Sequence, residues 1–348
     1  MQCSILRKLV IRCCEFAGKS DFAQNCVFQV KKGTLEIRAN NGTTGICINT
    51  VIGVDMKDLE CAVNIYALEA VLKAFDSDAD ITIKIVGNKI KFESENDKGQ
   101  LEIMDVDTVF YTPKPKNWKP APPNFAEKLL TVNGMHFKTL KGMTKDYEDL
   151  IIIRGKDICQ ISRSVMVFES TETDVNISVE VKFLQKVSND IDEYCVENNR
   201  LYFKNVNEWC MIAASSKAIP KYEMLFTEVQ NANNSVISID SDMFLAFCEK
   251  LITLKRAEEL QDPNTNHSIQ LEFDKGVLRG LTKVGSTQIS IENNDFIFNF
   301  AIVADFIKAA SHKQFLKEDT IELHVGKNMR LMMAANGTTR MLGVLCRV

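Results

Sequence analysis

Residues 63–75 read VNIYALEAVLKAF, in which a short strand pattern runs directly into a helical one. The same switch occurs twice more, as ISVEVKFLQKVS at residues 177–188 and as FNFAIVADFIKAA at residues 298–310. Self-similarity at a long, regular spacing indicates that one structural unit is repeated. We therefore predict three copies of one strand-and-helix unit in this chain.

Two further elements recur with each switch. A meander strand precedes it, and its three copies are GTLEIRA (33–39), KDICQIS (156–162) and GVLRGLT (276–282). An alternating hairpin follows it, and its three copies occupy residues 81–94, 193–205 and 321–334. Asn and Gly tolerate the positive φ of tight turns, so NGTT at residues 41–44 and 336–339 is interpreted as two further hairpin turns. Sequential strands joined by short turns favour antiparallel pairing.

Each copy also opens with a short strand and a first helix. Apolar residues at helical spacing predict this helix at residues 4–19 in the first copy and 242–256 in the third. The second copy has a weaker pattern at residues 134–146, where Gly142 disfavours a helix by up to about 1 kcal/mol. The second helices are predicted at residues 65–76, 180–192 and 302–317. The predicted fold class is α+β, with two helices packed on one face of an antiparallel sheet in each copy.

Proline and asparagine clusters separate the copies. Five of the seven prolines lie in TPKPKNWKPAPPN, where few backbone donors favour an extended linker. A second break falls in QNANNS, at residues 230–235. The predicted domains are therefore residues 1–111, 125–230 and 231–348, with the linker at residues 112–124.

Composition indicates a cytoplasmic globular protein. With 348 residues, of which 45% are hydrophobic and 25% charged, the chain can bury the cores of two or three domains. The 11 cysteines form no C-x-x-C pair, which is typical of reduced thiols, and the four dispersed histidines predict no metal site. The sequence has no signal-peptide pattern and no run of 18 apolar residues. We expect the protein in the cytoplasm, associated with the nucleoid.

The charge of the chain is unevenly distributed. The six predicted helices together carry a net charge of +6, whereas the whole chain carries −4, so that the remaining residues sum to −10. A solvated face explains any single helix, but basic helices on an acidic body predict one basic surface for non-specific contact with phosphates. The residues predicted to face DNA are Arg7, Lys8, Arg12, Lys73, Lys138, Lys141, Lys145, Lys182, Lys186, Lys250 and Lys308.

Motifs for catalysis and nucleotide binding are absent from the sequence. Neither G-x-x-x-x-G-K-[ST] nor a G-x-G-x-x-G run after a strand occurs, and G-x-S-x-G and H-E-x-x-H are missing as well. The acidic residues at 78–80 follow a predicted helix and those at 190–192 lie at the end of one, where solvated acidic loops are common. No histidine is marked as the partner of a cysteine nucleophile. We therefore predict no catalytic residue and no cofactor.

Three segments carry a resemblance to a known family. AIPKYEMLF at residues 218–226 is similar to an F-P-D-Y-R-R-V-L-P segment, with matches at Pro220, Tyr222 and Leu225. KNWKP resembles a tryptophan-bearing linker before a second domain, and VLCRV resembles an M-P-M-R-L ending. These features resemble the bacterial β sliding clamp, the β subunit of DNA polymerase III. Met224 replaces an arginine and SVMV at residues 164–167 replaces G-H-R-L, which is typical of a divergent member such as one that a phage encodes.

The resemblance implies an architecture and a role. In that family, two chains close head to tail into a ring of six domains, with helices lining the hole and sheets forming the outer layer. The ring encircles double-stranded DNA as a non-catalytic processivity factor. A pocket between domains two and three captures short motifs from the replicative polymerase, the clamp loader and repair proteins. The implied fold is the DNA clamp fold, and a phage-encoded member would act in the host cytoplasm.

The resemblance also implies site residues. Carried over by position, the partner pocket comprises Ser164, Val165, Met166, Val167, Pro220, Met224, Leu225, Leu342, Val344 and Cys346. The homodimer contact would join Leu101 and Ile103 of one chain to Leu251 and Leu254 of the other. Core packing is the competing interpretation of these apolar residues. Two other classes stay open: a clamp-like processivity factor or scaffold that acts as a monomer or trimer, and an enzyme on a repeated α+β scaffold.

Overall fold

One order of elements is repeated three times along the chain. Each copy has a first helix, four strands, a second helix and three further strands. The structure is a computed structural model that describes residues 1–52, 58–110, 113–135, 147–162, 164–222, 225, 235–291, 297–325 and 331–346. The threefold repeat that the sequence predicts is therefore present in the described part of the chain.

The α-helices whose bounds fall within the described residues occur in pairs, one pair to each copy. Their bounds are α1 Cys3–Cys14 and α2 Ile65–Lys73, α3 Phe125–Gly134 and α4 Val181–Leu184, and α5 Ser241–Gln261 and α6 Ala304–Ala310. Among the described residues, no helix is long and apolar enough to span a membrane.

The strands repeat with the helices. The first copy has β1 Asn25–Lys31, β2 Thr34–Asn40, β3 Thr44–Val51, β4 Leu59–Asn64, β5 Thr82–Val86, β6 Lys89–Glu93 and β7 Lys98–Glu102. The second has β8 Lys119–Pro120, β9 Leu150–Arg154, β10 Asp157–Ile161, β11 Val165–Ser170, β12 Asn176–Glu180, β13 Glu193–Glu197, β14 Arg200–Lys204 and β15 Glu208–Ala213. The third has β16 Ser235–Asp240, β17 Ser268–Asp274, β18 Val277–Thr282, β19 Gly285–Ser290, β20 Phe298–Val303, β21 Thr320–Val325, β22 Leu331–Asn336 and β23 Thr339–Cys346.

The strands form antiparallel sheets in two compact units. The first unit, residues 1–126 and 182–214, holds an eight-stranded sheet of order β4-β1-β2-β3-β15-β14-β13-β8 and a small sheet β5-β6-β7. The second unit, residues 127–181 and 215–348, holds a twelve-stranded sheet with the path β12-β9-β10-β11-β23-β20-β17-β18-β19, and β22, β21 and β16 continue from β23. The predicted α+β class is confirmed, whereas the three domain boundaries stay a prediction.

The switch from strand to helix has a local cause in the first copy. The side chain of Asn64 accepts a hydrogen bond from the N–H of Ala67 (3.0 Å), which supplies a partner for one of the unpaired donors at the start of α2. Ile65, Leu68 and Leu72 are buried at helical spacing on the face that packs against the core. Thus Asn64, the last residue of β4, also caps the start of α2.

Both NGTT segments form hairpin turns, as predicted. In the first, the side chain of Asn41 accepts hydrogen bonds from the N–H groups of Thr43 (3.0 Å) and Thr44 (2.8 Å). Gly42 has a φ of +90° and Gly337 in the second has a φ of +59°, a conformation that favours glycine. The turns join β2 to β3 and β22 to β23.

Several predicted helix bounds are wrong. In the second copy α3 begins at Phe125, where no helix was predicted, and the helix predicted at 134–146 lies almost wholly outside the described residues, which resume at residue 147. Phe125, Leu129 and Val132 are buried at helical spacing, and the neighbouring prolines masked this signal. α4 has only four residues, and a few positions after it the N–H of Asp190 donates to the hydroxyl of Ser188. Inside the predicted linker, β8 pairs with β13.

Candidate functional site

An apolar cavity of about 180 Å³ lies in the second unit, where β11 pairs with β23. Its walls come from the ends of β10 and β11, from β22 and β23, and from residues 220–222 and Leu225. The lining residues are Tyr147, Ile161, Ser162, Ser164, Met166, Pro220, Lys221, Tyr222, Leu225, Leu331, Leu342 and Val344.

Strand pairing brings wall residues together from distant parts of the chain. Met166 on β11 lies opposite Leu342 on β23. Two residues further along β23, Val344 lies opposite Leu331 on β22, and its N–H donates to the carbonyl of Ser164 (3.0 Å). Because alternate residues of a strand face the same side, these five residues form two adjacent rows on one face of the sheet.

The cavity grades from a buried floor to an open rim. Leu342 is 1% exposed, Met166 is 6% exposed and Leu331 is 7% exposed, whereas Val344 is 37% exposed. A partner side chain that entered here would meet a desolvated apolar surface, which is the environment in which anchoring side chains contribute most to binding.

Hydrogen bonds and ring contacts hold the walls in place. The hydroxyl of Ser162 accepts from the N–H of Val165 (3.0 Å) and donates to its carbonyl (2.8 Å), which joins the residue after β10 to the first residue of β11. On the opposite wall, Tyr222 is buried with its ring 5.9 Å from that of Phe168, and the guanidinium of Arg154 lies 5.7 Å from the Tyr222 ring.

Comparison with known proteins gives a fold and no sequence family. No protein-family model matches the chain, and no curated protein matches it in sequence. The β subunit of DNA polymerase III from Pseudomonas aeruginosa superimposes with a TM-score of 0.78 at 10% identity, over 100% of this chain and 99% of that chain. The Helicobacter pylori β clamp bound to a DNA ligase peptide gives 0.76 at 11% identity over 99% of both chains. Caulobacter crescentus pol III β gives 0.76 at 11% identity over 100% and 99%.

The chain has the sliding-clamp fold. The resemblance in element order and in three short segments predicted this fold, and the full-length superpositions confirm it. At 10–11% identity few side chains are shared with these clamps. Each functional residue must therefore be judged from its own surroundings.

Six of the ten pocket residues predicted for a sliding clamp line the cavity: Ser164, Met166, Pro220, Leu225, Leu342 and Val344. Val165 and Val167 are buried, and the alternation of β11 turns them to the face opposite Met166, so the predicted wall is corrected at these two positions. Met224 and the side chain of Cys346 lie outside the described residues.

The sequence prediction missed half of the lining. Ile161 and Leu331 could have been found, because each lies two positions from another apolar residue on a predicted strand, the spacing of one strand face. Tyr222 was a motif match, but its position in the wall was not predicted. Tyr147 lies just before β9 and carries no signal of its own, so only the folded chain brings it to the cavity.

Arg7 and Lys8, the first two residues predicted to face DNA in this sliding-clamp fold, have different surroundings. The guanidinium of Arg7 donates to the backbone carbonyls of Leu72 and Phe75 (both 2.8 Å), which belong to the end of α2 and the residues after it. Such carbonyls lack helical partners and carry partial negative charge. Arg7 thus joins α1 to α2, whereas Lys8 beside it is exposed to solvent.

A second basic group surrounds an aromatic ring. Arg12 pairs with Glu208 (2.6 Å) and with Glu15, and its guanidinium lies 5.0 Å from the ring centroid of Phe16. The Nζ of Lys186 lies 5.7 Å from the same ring, and burial lowers the pKa of Lys186 below its usual value. Two carboxylates therefore offset the charge of Arg12, and Lys186 is partly removed from water.

The other predicted cations differ in their pairing. Lys73 pairs with Glu69 (2.7 Å) and Lys308 lies 3.7 Å from Asp305, so both have an acidic neighbour on their own helix. Lys182 and Lys250 are exposed. The remaining three, Lys138, Lys141 and Lys145, lie outside the described residues. That these side chains face DNA stays a prediction.

The four residues predicted for a homodimer contact are not equivalent. Leu101, Ile103 and Leu254 are half-buried and can take part in a contact. Leu251 is fully buried on α5, and a Cβ added at Gly280 on β18 would come within 2.3 Å of its Cδ2. Leu251 is therefore a core residue of the second unit, and its predicted place on the dimer surface is wrong.

Four cysteine thiols have raised pKa values, which indicates that they are unreactive. Burial raises the pKa of Cys14 and Cys61 to about 11 and that of Cys195 and Cys210 to about 12. A cysteine attacks as its thiolate, so these four stay protonated near neutral pH. Across the described part of the chain, no group of three or more His, Cys, Asp or Glu side chains could hold a metal ion.

Proposed function

We propose that the chain is a DNA sliding clamp, a non-catalytic processivity factor that encircles duplex DNA in the cytoplasm. Its proposed partners are a replicative DNA polymerase, a clamp loader and other proteins that carry a short apolar motif. The observation that carries this proposal is the superposition on sliding clamps over the full chain. The apolar cavity supports the peptide-binding part, since the Helicobacter pylori clamp binds a DNA ligase peptide.

The charge distribution suits retention by topology. A closed ring stays on DNA because it cannot dissociate sideways, so its inner face needs only weak, sequence-independent attraction. Many strong phosphate contacts would make binding strongly salt-dependent and would hinder sliding. The positive charges of Arg12 and Arg7 are partly offset by Glu208 and by a backbone carbonyl, so the basic helices would attract DNA only moderately.

DNA retention tests this function. We expect the double variant Lys8→Glu/Lys182→Glu to be retained on nicked circular DNA roughly tenfold less than wild type, because each lost phosphate contact weakens the electrostatic attraction. Lys31→Glu/Lys116→Glu makes the same charge change at exposed positions outside the helices and should behave as wild type. The measurement is the fraction of chain that co-elutes with DNA after loading. Equal retention of wild type on circular and on linearised DNA would contradict encirclement.

The internal repeat supports a head-to-tail homodimer. Strands are counted here from the first helix of each copy. Within the first unit, the last strand of copy two (β15) pairs with the third strand of copy one (β3). Within the second unit, the last strand of copy three (β23) pairs with the third strand of copy two (β11). Among the described residues, the last strand of copy one (β7) and the third strand of copy three (β19) have no such partner, and each lies at a sheet edge. Pairing β7 with β19 of a second chain would complete the series and cover both edges.

Solution mass tests the dimer. Wild type should scatter light as about two chains of 39.3 kDa, and Ile103→Lys, which places a charge beside β7, should shift the mass toward one chain. Ile85→Lys is the matched control, because Ile85 is 38% exposed on β5, at the other side of the same small sheet. A wild-type mass of one chain at micromolar concentration would favour the monomeric alternative, and a mass of three chains would favour the trimer.

A further inference from the structure

The cavity depends on one register between β11 and β23, and the apolar pattern does not specify that register. β11 carries VMVF at residues 165–168 and β23 carries MLGVL at residues 341–345, so both faces of both strands are apolar. Where a strand is apolar on both sides, sliding by one residue costs little hydrophobic free energy. Such a slip would turn Met166 away from the cavity and bring Val165 and Val167 into it.

The contacts of β23 with β22 and with α6 leave this register open. The pairing of β22 with β23 is fixed locally by the tight turn between Asn336 and Thr339. Phe306 of α6 packs on Gly343, where an added Cβ would lie 2.3 Å from the ring, so the helix sets which face of β23 it meets. Neither contact involves β11, which comes from a segment about 170 positions earlier.

A buried polar group lies across the two strands on the face opposite the cavity. Glu169 on β11 is fully buried and lies directly opposite Thr339 on β23. Its Oε1 accepts a hydrogen bond from the hydroxyl of Thr339, and its Oε2 accepts one from the hydroxyl of Thr338 (2.8 Å). The Nζ of Lys317 lies 3.9 Å from Oε1. A buried carboxylate requires such partners, because an unpaired one is strongly disfavoured.

The same lysine connects this group to a helix. The Nζ of Lys317 donates to Glu127 (2.9 Å) and to the hydroxyl of Thr131 (2.8 Å) on α3. Lys128 of α3 donates to the carbonyl of Ser170, the residue after Glu169 (2.7 Å). Glu169 therefore contacts β23 directly and is linked to α3 through Lys317.

We propose that Glu169 is a positioning residue that sets the register of β11 against β23 and thereby shapes the cavity. A slip by one residue would place Glu169 opposite Thr338 or Arg340 and would separate its carboxylate from the Thr339 hydroxyl. The polar pair thus penalises the slip that the apolar residues tolerate. The part of this inference that concerns partner binding rests on the proposed function, whereas the part that concerns register does not.

Crosslinking tests the register directly. Cysteines replacing Ser164 and Val344 face each other in the observed pairing, and opposite residues on antiparallel strands lie within disulfide range. We expect Thr339→Val, which keeps the shape but removes the hydroxyl, to lower the yield of this disulfide at least threefold. A disulfide between Ser164→Cys and Leu345→Cys, which needs a slipped strand, should rise. Thr339→Ser keeps the hydroxyl and should restore the wild-type pattern.

Peptide binding and melting temperature complete the test. In Thr339→Val the affinity for an acetylated hexapeptide with two adjacent leucines should fall about tenfold, and Thr339→Ser should recover it. A residue with a merely structural role would lower Tm while the folded molecules kept native crosslinking, and that result would overturn the proposal. If wild type itself binds no such peptide, the partner pocket is contradicted, and the crosslinking result still decides the role of Glu169.

Discussion

Replacing Val344 with aspartate is expected to lower the affinity of the chain for a short apolar peptide by about 30-fold or more, because anchor sites in desolvated clefts contribute at least about 2 kcal/mol. Val344 forms the rim of the cavity above Leu331 and Leu342, so a carboxylate there must either lose water when the peptide binds or keep water in the cleft. Fluorescence anisotropy with a labelled dileucine hexapeptide measures the change.

Val344→Asp has a matched control on the same unit. Val236 on β16 is 41% exposed against 37% for Val344, and it does not line the cavity. Val236→Asp should bind the peptide as wild type does. If Val344 served only core packing, its substitution would lower Tm and the surviving folded protein would still bind. Full binding by folded Val344→Asp would remove the cavity from the proposed function.

Replacing Lys255 with methionine is expected to lower the free energy of unfolding by about 3–5 kcal/mol, the usual cost of leaving one partner of a buried ion pair alone. Lys255 is 2% exposed on α5, and its Nζ donates to Glu258 (2.9 Å) and to the carbonyl of Asn266. Glu258 also accepts from the hydroxyl of Thr265 and from the N–H of Lys283 (3.1 Å). The group joins the end of α5 to the loop before β17 and to the β18–β19 turn.

Urea unfolding of two further variants distinguishes the causes. Lys255→Met/Glu258→Leu removes both charges and should recover most of the lost stability, because no ion is left unpaired. If the single and double variants lose stability equally, packing of the lysine stem is the cause and the ion pair is not. Arg256→Met, at an exposed position on the same helix, should change stability little.

The same group predicts an acid dependence. Burial alone would raise the pKa of Glu258, but hydrogen bonds from Thr265, Lys255 and the Lys283 N–H outweigh it and hold the pKa below its usual value. A depressed carboxyl pKa stabilises the fold above the pKa of the unfolded chain, and that stability is lost as the pH falls through the folded pKa. Wild type should therefore lose stability between about pH 5 and pH 3 more steeply than Glu258→Gln.

Part of the cavity could be predicted and part could not. Ser164, Met166, Leu342 and Val344 followed from position along a family resemblance. Position along the chain carries no information on which face of a strand a residue occupies when both faces are apolar, so Val165 and Val167 were placed in the same wall. The tertiary structure resolves this, because Glu169 and Thr339 meet on one face and leave Met166 to the other.

The charged surface shows the same division. Counting charges by predicted helix points to basic segments, yet the partners of Arg7 and Arg12 lie 65 and 196 positions away, at Leu72 and Glu208. No local pattern reveals that an arginine pairs with so distant a residue. Lys8 could be predicted as a solvent-exposed cation, since helical spacing alone turns it away from Leu6 and Val10.

The sequence by itself determined the threefold order of strands and helices, because alternation of apolar residues, helical spacing and turn residues such as Asn41 and Gly42 act within a few positions. Only the tertiary structure decided that β15 joins β3, that β23 joins β11 and that Leu251 is a core residue under Gly280. These outcomes depend on which distant surfaces pack together. The free energy of that packing depends on both segments in contact, so the sequence of one segment alone does not predict it.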